Sequence, residues 1–192
     1  MRDRCFWENT GCATERRKGK QMFREMRRIA QQLEKEESEQ ILRDATSGVL
    51  AVYGDDGYPY TVPVSHVYQD GKIYFHCAKV GHKIDALRRC DKVSFCVIWQ
   101  DEVMPKERTT AFISVVAFGR ARIVEDEAGL RYIADLVGKK YSGDYPELCQ
   151  QETDEVIAAN RMYCVEITVE HLTGKCGRQV LEKRKREARE KA

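Results

Sequence analysis

The sequence predicts a mainly β protein with peripheral α-helices, folded as a closed or partly closed antiparallel barrel of six strands. Two observations predict it. Six segments carry strand-type apolar patterns and are joined mostly by short turns, and helical periodicity interrupts them only after the third and fifth strands. Strands and helices do not alternate regularly, so a parallel sheet is not indicated. A chain of 192 residues is long enough for one sizeable core.

Two segments precede the first strand. Residues 1–21 lack periodicity and end in a basic cluster, which predicts a flexible basic extension or a segment upstream of a natural start at Met22. A nucleic-acid-binding arm is the alternative. Further on, Ile41, Leu42 and Ala45 form a helical stripe. This stripe predicts a helix over Glu36–Asp44.

The first two strands form a hairpin. Ser47–Gly54 and Tyr60–Tyr68 have strand patterns and flank the turn Asp55-Asp56-Gly57. Pro63 lies inside the second strand and cannot donate a ladder hydrogen bond. The second strand therefore lies at an edge of the sheet or carries a bulge at Pro63, and a bulge would leave backbone groups for a ligand.

The third strand, Lys72–Cys77, leads into a helix that opens with Gly81, His82 and Lys83. Backbone N–H groups at a helix start carry partial positive charge, and Lys83 adds a full charge, so the turn suits a phosphate. An ordinary surface helix after a glycine turn has the same local pattern, and these residues alone leave both interpretations open. On this helix we expect Ile84 and Leu87 to pack under the sheet and Arg88 and Arg89 to remain in solvent.

The fourth strand, Lys92–Trp99, is nearly continuously apolar, which predicts a central strand covered on both faces with Trp99 in the core. The fifth, Ala111–Glu125, is long enough to bend round a barrel, and Gly119 is the natural kink. An amphipathic pattern then predicts a helix over Glu127–Tyr141.

The remainder of the chain is more polar. A polar stretch over Ser142–Asp154 and a short helix over Glu155–Asn160 are expected before a last strand over Met162–Lys175. Residues 177–192 are charged at nearly every position after Leu181, which predicts a solvated helix or tail, with a nucleic-acid patch as the second interpretation.

Composition restricts the function classes. Lys and Arg number 33 against 31 Asp and Glu, so nothing demands a nucleic-acid partner. No apolar run approaches the roughly 18–20 residues of a membrane span, which predicts a cytosolic protein. The eight cysteines contain no C-x-x-C pair, which favours buried thiols over a metal site, although a redox role for Cys77 beside His76 stays open. Dinucleotide and P-loop glycine motifs are absent.

The combined pattern resembles a known family. The segment Ser47–Val97, with the later AFGRARIVED and VEITVEHLTGK segments, is similar to the FMN-binding split-barrel proteins of the pyridoxamine 5'-phosphate oxidase superfamily. Within them it most resembles the branch that includes the nitroimidazole-resistance reductases. The similarity runs from Met22 to Lys175. It implies a six-stranded antiparallel split barrel over residues 22–176, and a homodimer with one FMN in each of two clefts between subunits.

The resemblance also implies a site. The FMN phosphate would lie at Gly81, His82 and Lys83. The isoalloxazine would lie along Thr61, Val62, Pro63, Val64 and Ser65. The residues expected between ring and phosphate are His76, Cys77 and Ala78, and the other subunit would close the cleft with part of Phe112–Val116, including Phe112, Ser114 and Val115.

The implied activity is that of an FMN-dependent oxidoreductase, which passes electrons from a reduced donor to a small acceptor such as a nitro-aromatic. His76 or His66 is the candidate for proton delivery, since histidine titrates near neutral pH. One alternative is a barrel that binds FMN, haem or a deazaflavin without turnover, as a store, sensor or shuttle. Another is a protein that associates with nucleic acid through its basic ends.

Several positions depart from the branch. Where its members carry tyrosines and an arginine, this chain has Arg108, Ala111 and Ile113. Where they commonly have a tyrosine and a serine, it has His66 and Cys77. These positions would border the substrate, so the resemblance carries the cofactor over better than the substrate.

Overall fold

The computed structural model of the protein describes residues 23–190. The predicted basic extension, residues 1–21, lies outside this range. The helices are α1 (Lys35–Asp44), α2 (His82–Arg89), α3 (Glu127–Tyr141), α4 (Pro146–Ala158) and α5 (Arg178–Glu190). The strands are β1 (Ser47–Tyr53), β2 (Pro59–Ser65), β3 (Val67–Gln69), β4 (Lys72–Ala78), β5 (Lys92–Met104), β6 (Thr109–Val124) and β7 (Met162–Cys176).

All the strands belong to one antiparallel sheet in the order β2-β1-β5-β6-β7-β4-β3. The two edge strands, β2 and β3, are separated along the chain by His66 alone. The sheet must therefore curl until its edges meet at His66, yet β2 and β3 do not pair with each other. The result is the split antiparallel barrel that the sequence predicted. The count is seven rather than six because the predicted strand Tyr60–Tyr68 breaks at His66.

The barrel interior is filled by the inward-facing side chains of the strands. Phe75 and Phe95 are the largest of these and are almost completely buried. Leu42 of α1 and Ile84 of α2 are fully buried in the same cluster. Burial of each such side chain contributes about 1.5–3 kcal/mol, so these contacts hold α1 and α2 to the barrel.

A second, smaller cluster holds α3 against the outside of the barrel. Leu130 and Ile133 of α3 pack there on Tyr74, Val124 and Cys164. Asp126 caps α3, because its Oδ1 accepts a hydrogen bond of 2.8 Å from the N–H of Gly129. The predicted bounds of α3 are confirmed.

Two expectations for β5 are wrong. The strand continues to Met104, and its buried residues alternate instead of being covered on both faces. Trp99 is not in the core: 46% of it is exposed. The reason is a register shift between Ile98 and Gln100, where an extra residue breaks the alternation. In β6, by contrast, the pairing with β7 shifts between Phe118 and Gly119, as the predicted kink requires.

The C-terminal third differs from prediction in two ways. The stretch over Ser142–Asp154 is mostly helical, because α4 begins at Pro146 and ends at Ala158. Proline at the first position of a helix is favourable, since an N–H at this position would have no acceptor within the helix. The tail helix α5 is not wholly solvated. Val180 is buried, and Arg184 forms two hydrogen bonds with Glu37 of α1 at 2.7 and 3.1 Å.

Within residues 23–190, no helix is both long and apolar enough to cross a bilayer. The same residues contain no cluster of three or more His, Cys, Asp or Glu side chains that could hold a metal ion.

Candidate functional site

The turn between β4 and α2 leaves backbone N–H groups available. Gly81 precedes α2 with φ 118° and ψ 164°, a conformation essentially restricted to glycine. The carbonyl of Gly81 accepts hydrogen bonds from Ile84 and Asp85 at 2.9 and 3.2 Å. The amides of His82 and Lys83 come before these donors and belong to the first helical turn, whose N–H groups have no intrahelical acceptor. The geometry expected of an anion-binding helix start is therefore present.

Lys83 supplies a cation at this turn. Its side chain is half-buried, and no carboxylate of the described residues pairs with it. Cys77, at the end of β4, is buried, and burial raises the pKa of its thiol, while the charge of Lys83 acts in the opposite direction. The charge of Lys83 therefore acts on the thiol of Cys77.

The imidazole of His82 points to a different partner. It stacks on Tyr60 with the ring centroids 4.1 Å apart, and its Nε2 lies 3.4 Å from Oδ2 of Asp55 without forming a hydrogen bond. Oδ1 of Asp55 also forms an ion pair with Nη1 of Arg89 at 2.6 Å. His82 can therefore serve an anion through its backbone N–H, whereas its ring ties α2 to the β1–β2 turn.

Two more cations, Lys79 and Arg88, lie beside this turn. The sequence analysis gave Lys79 no role and placed Arg88 in solvent. Lys79 Nζ is 4.4 Å from the ring centroid of Tyr163, and the Arg88 guanidinium is 5.8 Å from it. Lys79 also donates to Oδ1 of Asn160 at 2.5 Å, and Arg88 donates to the Tyr163 hydroxyl at 3.4 Å. Tyr163 and Asn160 are more than 70 residues away in sequence, so no local pattern could have identified this cluster.

The β2 edge presents backbone groups as well. Pro63 lies opposite Val49 in an unbroken register, so β2 is an edge strand and Pro63 does not cause a bulge. Because proline has no N–H, Pro63 and Val49 form a pair without mutual hydrogen bonds. The backbone groups of Pro63, and of every second residue from it along β2, therefore point away from β1. The residues whose backbone groups point away from β1 are Thr61, Pro63 and Ser65, and their side chains are exposed. The side chains of Val62 and Val64 pack against the core.

His66 is in the interior. Its side chain is fully buried, and its Nε2 lies 3.0 Å from the carbonyl oxygen of Leu42, so Nε2 carries the proton and donates. Its backbone N–H bonds the hydroxyl of Tyr141, and its carbonyl accepts from Tyr141 and Lys140. These bonds fasten α3 to the place where the barrel edges meet. Burial argues against His66 as a proton donor to a substrate and gives it a structural role.

Burial also predicts an acid-sensitive stability. Desolvation, together with the nearby charge of Lys140, lowers the pKa of His66 to about 4 from an ordinary 6.5. The unfolded chain takes up a proton on this imidazole at a higher pH than the folded chain does, so stability falls as pH drops from about 6.5 towards 4. Between pH 7.5 and 5, His66 should reduce the free energy of unfolding by about 2 kcal/mol.

Chemical denaturation of the wild type, His66→Gln and His76→Gln at both pH values tests this expectation. The wild type and His76→Gln should lose stability in parallel, because both keep the buried imidazole of His66. His66→Gln should lose about 2 kcal/mol less. Equal losses in all three proteins would rule out a buried neutral imidazole.

The remaining predicted residues divide by strand face. On β4, His76 and Ala78 are exposed and Cys77 is buried. On β6, Phe112 and Ser114 are half-buried, whereas the side chain of Val115 lies fully in the core and can offer a ligand only its backbone. The structure thus leaves His76, not His66, exposed for proton delivery.

A cavity of about 390 Å³ lies elsewhere, between α3 and α4. Its lining includes Ala134, Gly138 and Cys149 and none of the predicted site residues. The candidate site lies instead at the β2 edge and the turn between β4 and α2.

The chain matches known proteins over most of its length. The family model described as pyridoxamine 5'-phosphate oxidase matches residues 34–176. Three solved structures are similar: a candidate 5-nitroimidazole antibiotic resistance protein from Bacteroides thetaiotaomicron (20% identity, TM-score 0.61, 76% of this chain and 86% of that one), a conserved hypothetical protein from Mycobacterium tuberculosis (24%, 0.69, 81% and 92%) and an FAD-binding protein from Mesorhizobium loti (26%, 0.51, 76% and 96%). No curated protein sequence matches.

Proposed function

Because the chain belongs to the pyridoxamine 5'-phosphate oxidase family, we propose that it is a flavoprotein that binds the phosphate of a flavin nucleotide between β4 and α2. FMN is the smallest flavin that meets this requirement. The M. loti relative is an FAD-binding protein, and FAD contains the same riboflavin phosphate group as FMN.

The observation that carries this proposal is the pairing of two features at one turn. The amides of His82 and Lys83 open α2, and the Lys83 ammonium has no carboxylate partner in residues 23–190. A phosphate dianion would accept hydrogen bonds from both kinds of donor, and charge-assisted bonds of this sort are about twice as strong as neutral ones. Phosphate binding would thereby neutralise a half-buried charge.

The β2 edge would hold the flavin ring. Thr61 and Ser65 each direct a backbone N–H and a carbonyl away from β1, and Pro63 adds a carbonyl and a flat apolar surface. The polar edge of an isoalloxazine needs both donors and acceptors, which backbone groups at a free strand edge provide. This arrangement would fix the ring without a charged side chain.

The outside of the sheet supports a homodimer. Ile98, Trp99 and Phe118 are 66%, 46% and 40% exposed, and Phe112 and Ser114 lie on the same outer side of β6. Exposed apolar groups of this size are typical of protein contacts. A second copy would cover them and close the open edge at β2. Light scattering should give about twice the chain mass of 22.2 kDa. A single-chain mass in the flavin-loaded protein would contradict this proposal.

The proposed activity is flavin-dependent electron transfer to a small acceptor, with nitro-aromatics as the first candidates. A bound flavin would supply the redox chemistry, while the protein positions it and controls access. His76 is exposed on β4, two residues before Ala78, and can exchange protons with solvent. A cytosolic location suits the buried thiols of Cys77, Cys164 and Cys176, which form no disulfide, and cell fractionation would test it.

The alternative is a protein that holds flavin, haem or a deazaflavin without turnover. The absorbance spectrum of the purified, reconstituted protein tests whether flavin binds at all. Anaerobic reduction followed by addition of nitro compounds then separates enzyme from carrier. An enzyme should be reoxidised faster than free FMN under the same conditions. Reoxidation no faster than that of free FMN, across several acceptor classes, would favour the carrier.

A further inference from the structure

We propose that Tyr141 is a positioning residue for the flavin ring, because its hydroxyl fixes the end of the strand along which that ring lies. This inference rests on the proposed ring site on β2. Tyr141 is the last residue of α3, and it acts through the backbone of His66, the residue that follows β2. Its role is therefore indirect: it holds the strand, and the strand holds the flavin.

The Tyr141 hydroxyl occupies a place in the β1–β2 ladder. In the register of this pair, Ser47 lies opposite Ser65, so the next positions outward are those of Thr46 and His66. The hydroxyl accepts a hydrogen bond of 2.9 Å from the N–H of His66 and lies 2.6 Å from the carbonyl oxygen of Thr46. It thus connects two backbone groups that would bond each other directly if the ladder continued.

Lys140 supports the same junction from the neighbouring position on α3. Its Nζ donates hydrogen bonds to the carbonyl oxygens of Ala45 and His66, at 2.6 and 3.0 Å. Hydrogen bonds from a charged donor are about twice as strong as those between neutral groups. Two consecutive side chains of α3 therefore hold the N–H and the carbonyl of His66.

The rest of α3 is fixed near the opposite edge of the sheet. Leu130 and Ile133 pack on residues of β4 and β7, whereas β2 stands at the other end of the strand order. The helix thus spans the opening of the barrel, and its last turn reaches β2. A side chain that positions a binding group needs a rigid base of this kind.

The junction shares a peptide group with the proposed ring site. The peptide between Ser65 and His66 carries the Ser65 carbonyl and the His66 N–H, which point in opposite directions because the group is planar and trans. The hydrogen bond from this N–H to Tyr141 therefore fixes the direction of the Ser65 carbonyl, which points away from β1. β2 is an edge strand, so this carbonyl has no ladder partner among the described strands.

The experiment measures the dissociation constants of riboflavin and FMN for the wild type, Tyr141→Phe and Tyr132→Phe. Tyr141→Phe removes only the hydroxyl and should weaken both ligands by the same factor, about three- to tenfold, because both contain the ring. Tyr132→Phe makes the same change elsewhere on α3, where the hydroxyl lies 3.4 Å from the amide nitrogen of Gln69 on β3, and should bind both ligands as the wild type does. The absorbance maximum of the bound flavin should shift in Tyr141→Phe alone, since hydrogen bonds to the ring tune its electronic properties.

Two further variants separate positioning from general stability. Ile133→Val loosens the packing of α3 but removes no hydrogen bond, and the folded variant should bind flavin as the wild type does. Lys140→Met removes the donor to the carbonyls of Ala45 and His66, and it should weaken uncharged riboflavin in the same direction as Tyr141→Phe. Denaturation curves check that each variant folds. If Tyr141→Phe did not fold, unchanged riboflavin binding by Lys140→Met would overturn the proposal.

The other results are distinct. Equal affinities and spectra for Tyr141→Phe and Tyr132→Phe would overturn the positioning role and leave the proposed flavin site standing. Equal weakening by Ile133→Val would overturn it as well, because the effect would then follow the stability of α3. So would weakening of FMN alone, which would place the effect at the phosphate. A wild type that binds neither ligand would overturn both proposals.

Discussion

Gly119→Ala should destabilise the protein by about 3 kcal/mol or more, the largest loss that we expect from a single methyl group. A Cβ built on Gly119 would overlap the backbone oxygen of Thr168 on β7 and crowd Ile167. A backbone atom in a paired strand cannot rotate aside, so β6 and β7 would have to separate. The β6–β7 ladder and the β5–β6 ladder are the two longest in the sheet. Thermal denaturation should show a lower midpoint by roughly 6–12 °C.

Gly71→Ala is the matched control. Gly71 has φ +76°, but a Cβ there would meet no atom within 4 Å. Its cost is therefore backbone strain alone, roughly 1–2 kcal/mol. A loss for Gly119→Ala no larger than that for Gly71→Ala would mean that the bulge between Phe118 and Gly119 is not needed for close approach of the strands.

Lys83→Ala should weaken FMN binding by tenfold to about a hundredfold. The change removes a charge-assisted contact worth roughly 1.5–3 kcal/mol from the proposed phosphate site. The fold should survive, because Lys83 forms no ion pair or hydrogen bond with the other described residues. Fluorescence titration of FMN, with a denaturation curve for each protein, measures the two effects separately.

Lys83→Arg and Lys106→Ala complete this experiment. Lys83→Arg keeps the charge and should retain most of the affinity. Lys106 lies in the turn between β5 and β6, so its removal changes the net charge equally at a turn other than the one between β4 and α2. Equal weakening by Lys83→Ala and Lys106→Ala would indicate general electrostatic attraction in place of a local contact.

The strands and α3 could be predicted because their patterns are periodic, but breaks in the period could not be located. Trp99 is exposed because one extra residue in β5 interrupts the alternation, which would otherwise have placed this side chain in the interior. At His66, the alternation that turns Val62 and Val64 inward does continue, and following it would have assigned this histidine to the interior. Only the end of α4 was predicted, as the short helix Glu155–Asn160, because α4 buries no residue and no apolar stripe marks it.

The candidate site was predictable only where its parts are adjacent in sequence. Gly81 and Lys83 are recognisable because a glycine and a lysine open a helix directly after a strand. The cluster of Lys79 and Arg88 on Tyr163 depends on the β4–β7 pairing, which joins segments about 85 residues apart. The partnership of His82 with Asp55 likewise depends on how α2 packs on the barrel.

The central claim is that Lys83 contacts the phosphate of the flavin. Its most direct test is a cycle that removes the phosphate from the ligand and the ammonium from the protein. Riboflavin and FMN are titrated into the wild type and into Lys83→Ala. We predict that the wild type prefers FMN, that Lys83→Ala reduces this preference by at least tenfold, and that riboflavin binds both proteins equally. The same preference for FMN in both proteins would contradict the claim.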